Sequence, residues 1–126
     1  MLTDTKATSG FAVDDMDAAK RFYGETLGLR LTVLDEEHGV ASLNLAGGHD
    51  VLVYAKSDFA PATYTILNFE VDDIDAAVDE LSSRGLAFER YPGFDQDEKA
   101  IARGPGPSIA WFKDPAGNIL SVLQQP

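Results

Sequence analysis

Very few residues in this chain are of the types that carry out chemistry. The 126 residues include no cysteine and only two histidines, which excludes disulfides, thiolate catalysis and cysteine-ligated metals. The histidines, His38 and His49, lie in predicted turns. They could act as a general base or as a pair of metal ligands, or they could simply be solvated turn residues. Their loop placement favours the solvated interpretation.

The acidic run Asp95-Gln-Asp-Glu98 has the composition of a cation-binding loop. It does not fit an EF-hand, because Lys99 stands where a third ligand is expected and no glycine occupies the sixth position. We interpret the run as solvated charge. The surrounding loop, 92–107, is long enough to act as a lid over a ligand, with Glu98, Lys99 or Arg103 contacting polar groups.

Motifs for nucleotide binding and acyl transfer are absent. The chain has no serine nucleophile motif, P-loop or dinucleotide fingerprint. Gly104-Pro-Gly106 is followed by Pro107, which has no N–H to donate to a phosphate. The 21 acidic and 10 basic residues give a net charge of −11, so we expect solubility and no nucleic-acid partner.

Length and hydropathy indicate an ordinary globular protein. A chain of 126 residues with 44% hydrophobic residues suits one compact domain, 1–126. It has no apolar run of about 18 residues, which predicts no membrane span or membrane partner. The first residues lack the basic and apolar segments of a signal peptide, so we expect a cytoplasmic protein. Nothing in the composition requires a cofactor.

One phrase occurs twice and organises the chain. Phe11–Ala19 is repeated at Phe69–Ala77, with seven of nine positions identical. Each copy leads from an apolar strand into an acidic helix start. The repeat therefore predicts two copies of one structural unit.

Local patterns predict the elements of each unit. Helices begin at Asp14 or Asp15 and at Asp73, whose carboxylates can accept hydrogen bonds from the first turn, and they end at Gly28 and Gly85. Residues 56–63 form a linker. Hydrophobic alternation predicts strands at 9–13, 29–34, 40–45, 51–55, 64–71, 86–91, 109–113 and 119–123. Each unit is thus a strand, a helix and three strands.

The chain resembles the vicinal oxygen chelate superfamily of glyoxalase I, extradiol dioxygenases and bleomycin-binding resistance proteins. The matching segments are Phe11–Tyr23 with Leu27–Leu29, then Val71–Ile74, then Trp111–Leu120. The resemblance implies an α+β fold of two βαβββ modules, about 6–56 and 64–125. They would form a curved mixed sheet around a concave cup, with the helices outside. It also implies a homodimer that binds small organic ligands in its cups.

The metal enzymes of this superfamily place ligands at four strand positions, and the resemblance locates these positions here. They fall on Thr8, Ile66, Ser121 and, within one residue, Val53. Valine and isoleucine have no donor atoms, and neutral hydroxyls are weak ligands without carboxylates or imidazoles. We therefore expect no metal centre of the family type.

Strand alternation selects the side chains that would face the cup. If Leu67, Phe69 and Val71 pack on the helix, the cup is lined by Ile66, Asn68, Glu70, Ser121, Val53, Gly10 and Ala12. Apolar walls with a few polar groups are typical of sites for small organic molecules. Trp111, Tyr54 and Tyr64 either stack on an aromatic ligand or simply pack within the sheets.

Three functional hypotheses follow from these residues and the resemblance. The first is a metal-independent protein that binds a small organic molecule. The second is a lyase or isomerase in which Glu70, its pKa raised by partial burial, moves a proton while Asn68 or Ser121 holds an oxygen. The alternative interpretation is that Glu70 simply lies in solvent at the strand end. The third, a divalent-metal lyase or dioxygenase, is disfavoured by the missing ligands.

Overall fold

The computed structural model describes all 126 residues and divides them into two compact units, Met1–Ala60 and Pro61–Pro126. Each unit contains one copy of the repeated phrase, and each predicted module lies within one unit. Helices and strands are mixed in both units, which confirms the predicted α+β class.

The elements follow in the predicted order, with two differences described below. They are β1 (Ser9–Val13), α1 (Met16–Lys20), a π-helix (Arg21–Thr26), β2 (Arg30–Asp35), β3 (Val40–Leu45), β4 (His49–Ala55), β5 (Thr65–Glu70), α2 (Ile74–Ser83), β6 (Ser108–Lys113) and β7 (Ile119–Gln124).

The first unit contains a four-stranded sheet in the order β1-β4-β3-β2. Strand β1 runs parallel to β4, and the other two pairs are antiparallel. Phe11, Val53 and Ala41 lie side by side in register and are buried. The ring of Phe11 is 5.6 Å from that of Tyr23 in the π-helix, so this face of the sheet packs in the core.

Both copies of the repeated phrase act as helix caps, as predicted. The Asp15 carboxylate accepts hydrogen bonds from two N–H groups of the first turn of α1, at 3.0 and 3.2 Å. Asp73 accepts one from α2 at 3.1 Å. Gly28 and Gly85 follow the two helices with φ of 70° and 91°, the left-handed conformation that glycine adopts without strain.

The first helix is not a single α-helix, which corrects the prediction. It is α-helical to Lys20 and continues as a π-helix, in which the Leu27 N–H donates to the Phe22 carbonyl at 2.9 Å. The wider turns accompany the complete burial of Tyr23, whose ring contacts both Phe11 and Phe22. Core packing of the aromatic rings thus overrides regular helical geometry.

The second unit contains a three-stranded sheet in the order β5-β7-β6, with β5 parallel to β7 and β6 antiparallel to it. Helix α2 buries Ile74 and Val78. Phe88 lines a cavity with Val78, and its ring is 5.8 Å from that of Phe112. Phe112 and its register partner Leu120 therefore lie on the face of the sheet that packs against α2.

The predicted strand at 86–91 is wrong except for one bridge between Phe88 and Phe112. Beyond it, the Glu89 N–H donates to the Trp111 carbonyl at 2.8 Å. The side chain of Gln96 then takes the place of a neighbouring strand. It accepts from the Tyr91 N–H and donates to the Glu89 carbonyl, at 2.8 and 2.9 Å. A side-chain amide thus satisfies backbone groups that a ladder would otherwise pair.

None of the helices combines the length and the hydrophobicity that crossing a bilayer requires.

Candidate functional site

Three predicted site residues come together on the sheet of the second unit. Asn68, Ser121 and Trp111 are register partners across β5, β7 and β6, so their side chains share the face opposite α2. The Ser121 hydroxyl donates to Asn68 Oδ1 at 2.6 Å. Ser121 is completely buried, Trp111 is 8% exposed and Asn68 is exposed. Of the three residues, only Asn68 is therefore directly accessible.

Two further aromatic rings lie on Trp111. The segment Tyr91-Pro-Gly-Phe94 forms a tight turn, in which the Phe94 N–H donates to the Tyr91 carbonyl at 3.3 Å and Gly93 has a φ of 89°. Proline and glycine at its centre are the residues that a type II turn favours. The Tyr91 ring lies edge-on to Trp111 at 5.6 Å and the Phe94 ring lies tilted at 4.9 Å. We call these three residues the aromatic cluster.

The ring of Phe94 is the accessible part of the aromatic cluster, since the residue is 55% exposed. Sequence reasoning did not assign Tyr91 or Phe94 to the site, because the first was placed in a strand and the second in a loop. The signal was present in the Pro-Gly pair, which turns the chain so that the residues on either side of it approach the same neighbour.

The hydroxyl oxygen of Tyr91 is buried and has no hydrogen-bond partner. Burial raises the pKa of this phenol above its ordinary value of 10.0. The negative charge of Glu89 raises the pKa further, and the positive charge of Lys113 opposes the shift. The phenol is therefore protonated at neutral pH.

Glu70, the predicted acid or base, is exposed at the end of β5. Its Oε1 accepts a hydrogen bond from Gln125 Nε2 at 3.1 Å. It lines a cavity of about 230 Å³ together with Val71, Asp72, Gln124 and Gln125. A catalytic role for Glu70 remains a prediction, but the partial burial on which that prediction depended is absent.

The lid residues of loop 92–107 make contacts on helix α2. The Arg103 guanidinium donates to both carboxylate oxygens of Asp75 at 2.9 Å and to Asp97 at 3.1 Å. Lys99 pairs with Asp79 at 3.0 Å. The hydrogen bond from Arg103 lowers the pKa of Asp75 below its ordinary value. The structure thus brings Arg103 to α2 rather than to Asn68 and Ser121.

Glu98, also predicted to contact a ligand, lies beside a different concavity. This cavity of about 330 Å³ has an apolar floor that includes Val78 and Phe88, and a rim that includes Arg90, Glu98 and Lys99. The Glu98 carbonyl accepts from Arg90 at 3.2 Å. Ligand contacts by Glu98 and Arg103 remain predictions, without support from their positions.

Two predicted positions are shifted by strand register. Val53 pairs with Phe11 and is 1% exposed on the core face. The prediction that it shares a face with Gly10 and Ala12 is wrong, because strand β4 presents Leu52 and Tyr54 there instead.

Ile66, predicted to line the cup, is the extra residue of a β-bulge. Thr65 pairs with Ile119 and Leu67 with Leu120, which leaves Ile66 without a register partner. It is half-buried. Simple alternation from Asn68 therefore does not describe its position.

The face of the first sheet opposite Phe11 and Val53 carries a polar network that sequence reasoning missed. Thr32 Oγ1 donates to Asn44 Oδ1 at 2.7 Å, and Asn44 Nδ2 donates to Asp50 Oδ1 at 3.0 Å and to Ser42 Oγ at 3.4 Å. Short polar residues in β-strands look like ordinary surface positions in a sequence. Their connection appears only when the register brings three strands together.

The histidines are both exposed, which agrees with solvated positions. His38 lies in the turn after β2, and its Nδ1 is 2.8 Å from Asp35 Oδ2. His49 is the first residue of β4, so the prediction that it lies in a turn is wrong. Tyr64, a stacking candidate, is 69% exposed, and Tyr54 is 40% exposed. No group of three histidine, cysteine, aspartate or glutamate side chains is placed to hold a metal ion.

Comparison with solved structures gives relatives of the same size. TnmS3, an antibiotic-binding protein from Streptomyces sp. CB03234, is 25% identical with a TM-score of 0.73, over 98% of this chain and 99% of its own. A lactoylglutathione lyase from Agrobacterium tumefaciens is 25% identical with a TM-score of 0.64, over 97% and 95%. A Sphaerobacter thermophilus DSM 20745 member of the glyoxalase/bleomycin resistance protein/dioxygenase superfamily is 24% identical with a TM-score of 0.71, over 95% and 98%.

A family model described as the Glyoxalase/Bleomycin resistance protein/Dioxygenase superfamily matches residues 7–122. The chain therefore belongs to this superfamily, as its repeated phrase and closing strands predicted. Comparison with curated protein sequences gives no match.

The metal centre found in enzymes of this superfamily does not fit the residues present. Of the four positions, Ile66 offers no donor atom, and in place of core-facing Val53 strand β4 presents Leu52, which has none, and the phenol of Tyr54. The Ser121 hydroxyl is buried and already engaged by Asn68. Thr8 offers one exposed neutral hydroxyl. Divalent cations are held by carboxylates, imidazoles or thiolates, and none of these occurs in the set.

Proposed function

We propose that this protein binds a small planar organic molecule at the aromatic cluster of the second unit, without a metal ion. The observation that carries the proposal is the environment of Trp111. Its ring has Tyr91 edge-on at one side and the exposed ring of Phe94 at another. Apolar aromatic surface beside a few oriented polar groups is typical of ligand sites.

The ligand would pack between Trp111 and Phe94. Phe94 lies on a turn at the protein surface, so its side chain can rotate from Trp111 onto the outer face of a bound ring. Aromatic pairs add about 0.5–1.5 kcal/mol beyond the burial of their area. Asn68, held through Ser121, presents its amide to polar groups of the ligand at the edge of this surface.

The similarity to TnmS3 supports a binding role, since that protein is described as antibiotic-binding and aligns along the whole chain. The similarity to the A. tumefaciens lyase is equally extensive. Glu70 is exposed, and the family's metal positions carry no carboxylate, imidazole or thiolate, so we rank the enzymatic alternative second.

The single tryptophan of the chain makes binding measurable. We expect its fluorescence to change on titration with planar aromatic compounds and not with aliphatic compounds of equal size. Phe94→Ala should weaken the affinity about tenfold, which corresponds to about 1.4 kcal/mol. Tyr64→Ala is the matched control, because it removes an exposed aromatic residue of the same unit.

Equal losses in Phe94→Ala and Tyr64→Ala would contradict the assignment of the aromatic cluster. Tightly bound Ni, Zn, Fe or Mn at one equivalent in the purified protein would contradict the metal-independent function. Glu70→Gln tests the enzymatic alternative: a binding protein keeps its affinity for a neutral ligand, whereas an enzyme that uses Glu70 as its acid or base loses turnover.

A further inference from the structure

The buried hydroxyl of Tyr91 is the one buried side-chain polar atom without a hydrogen-bond partner. A polar group that loses water without gaining a partner destabilises the fold, and native proteins contain few such groups. Phenylalanine would fill the same space without this cost. The position therefore carries a polar atom that the fold itself does not use.

Two polar side chains close to Tyr91 in the sequence have other partners. Glu89 pairs with Lys113 at 3.4 Å. The side chain of Gln96 is occupied by backbone groups of Glu89, Tyr91 and Ala100. Neither side chain forms a hydrogen bond with the Tyr91 hydroxyl.

The hydroxyl belongs to a ring of the aromatic cluster, 5.6 Å from the Trp111 ring. A neutral phenol is a good donor and a poor acceptor, because its oxygen lone pairs are delocalised into the ring. A ligand beside Trp111 is thus in contact with a ring that carries an unused donor. Access of a ligand to the hydroxyl would require the exposed Phe94 side chain, which packs on the same indole, to rotate away.

We propose that the Tyr91 hydroxyl donates a hydrogen bond to the bound ligand. The ligand is then a planar aromatic compound with an acceptor atom at its edge, such as a ring nitrogen or a carbonyl oxygen. This inference rests on the proposed function, since it assumes that the aromatic cluster binds a ring. The hydrogen bond would select among aromatic compounds. A compound without the acceptor atom would leave the buried hydroxyl unpaired, and the site would therefore bind it more weakly.

Two isosteric probes test the proposal, quinolin-3-ylmethanol and 2-naphthalenemethanol, which differ by one ring nitrogen. Binding is followed through the indole N–H signal of Trp111 in NMR spectra of the full chain. The wild-type protein should bind the quinoline about tenfold more tightly than the naphthalene, which corresponds to a difference in binding free energy of about 1.4 kcal/mol. Tyr91→Phe should bind both compounds equally, with an unchanged affinity for the naphthalene. Tyr64→Phe, which removes an exposed hydroxyl of the same unit, should behave like the wild type.

The thermal midpoint of Tyr91→Phe supplies a second measurement. We expect it to rise, because the variant removes an unpartnered buried hydroxyl. A higher midpoint with an unchanged preference for the quinoline would mean that the hydroxyl has no ligand role, which overturns the inference. Loss of naphthalene affinity in Tyr91→Phe would also overturn it, by assigning Tyr91 a packing role alone.

The same titrations separate this inference from the proposed function. Equal binding of both probes by the wild type, abolished in Trp111→Leu, would overturn the hydrogen bond and leave the aromatic site standing. Binding of neither probe would overturn both.

Discussion

Aspartate side chains accept hydrogen bonds from backbone N–H groups at several helix starts and turns of this protein. Asp15 and Asp73 cap the helices, and Asp35 accepts from the His38 N–H at 3.0 Å. Asp97 accepts from two N–H groups in its loop, and buried Asp114 accepts from the Asn118 N–H at 2.8 Å. These carboxylates therefore serve local structure.

The caps can be tested by comparing adjacent aspartates in the repeated phrase. Asp15→Ala and Asp73→Ala should each lower the free energy of unfolding by about 1 kcal/mol, because first-turn N–H groups lose their acceptor. Asp14→Ala and Asp72→Ala are the matched controls, with expected changes below about 0.5 kcal/mol. Urea unfolding measures all four. Equal effects at both positions of a pair would contradict the cap assignment.

Two glycines with the same backbone conformation differ in their surroundings. Gly39 and Gly48 have φ of 66° and 72°, so alanine is strained at both by about 1–2 kcal/mol. A Cβ at Gly39 would lie 3.0 Å from Ala55 Cβ and 3.1 Å from Met16 Cγ, whereas nothing lies within 4 Å at Gly48. Gly39→Ala should therefore destabilise more than Gly48→Ala, by about a further 1 kcal/mol or more in denaturant unfolding. Equal losses would show that the close approach has no energetic consequence.

At the level of elements, loop 92–107 is a structured segment attached to helix α2. Arg103 and Lys99 connect it to carboxylates of the helix, and Gln96 holds its backbone from within. The loop presents Phe94 to Trp111 in the same short segment. The ion pairs on α2 therefore help to determine where one ring of the proposed ligand site lies.

The attachment of this loop should depend on pH. The hydrogen bond from Arg103 lowers the pKa of Asp75 below 3.8. Burial acts to raise the pKa of Asp97, but hydrogen bonds from the Ile101 N–H and Arg103 outweigh it, and the net shift is downward. A carboxyl whose pKa is lower in the folded state contributes stability above its unfolded pKa and loses it as the pH falls through the folded pKa.

Asp75→Asn should accordingly unfold more easily than the wild type at pH 7, and the difference should shrink between about pH 5 and pH 2. Thermal unfolding across this range measures the effect. Asp95→Asn, an exposed change in the same loop, is the control and should follow the wild type. A difference that stays constant down to the lowest pH would contradict the role of the Asp75 carboxylate.

At the level of the whole molecule, the repeated phrase predicted the most. It placed two units, their helix starts and the strands around them, because capping and alternation are local rules. The misses arose where the partner that a residue finds in the fold decides its structure. Gln96 replaces a strand at Tyr91, a bulge displaces Ile66, and a one-residue error in β4 moved Val53 to the wrong face. The aromatic cluster was missed for the same reason.

The net charge of −11 should govern the solubility of the protein. Mutual repulsion keeps molecules apart at neutral pH and vanishes as the carboxylates take up protons. We expect a solubility minimum near the isoelectric point of about 4.3. Light scattering of samples dialysed between pH 7 and pH 4 measures it. Constant solubility through this range would contradict the prediction.

The π-helix Arg21–Thr26 also indicates where the chain could lose a residue without disturbing the sheet. A π-turn holds one residue more than an α-turn, and it arises when an insertion enters an α-helix. Removing the half-buried Gly24 would let this segment close as an α-helix while β2 keeps its pairing with β3. A deletion inside β3 would move every following side chain of that strand to the opposite face. We therefore expect a single-residue deletion to be tolerated better at the first helix than inside β3.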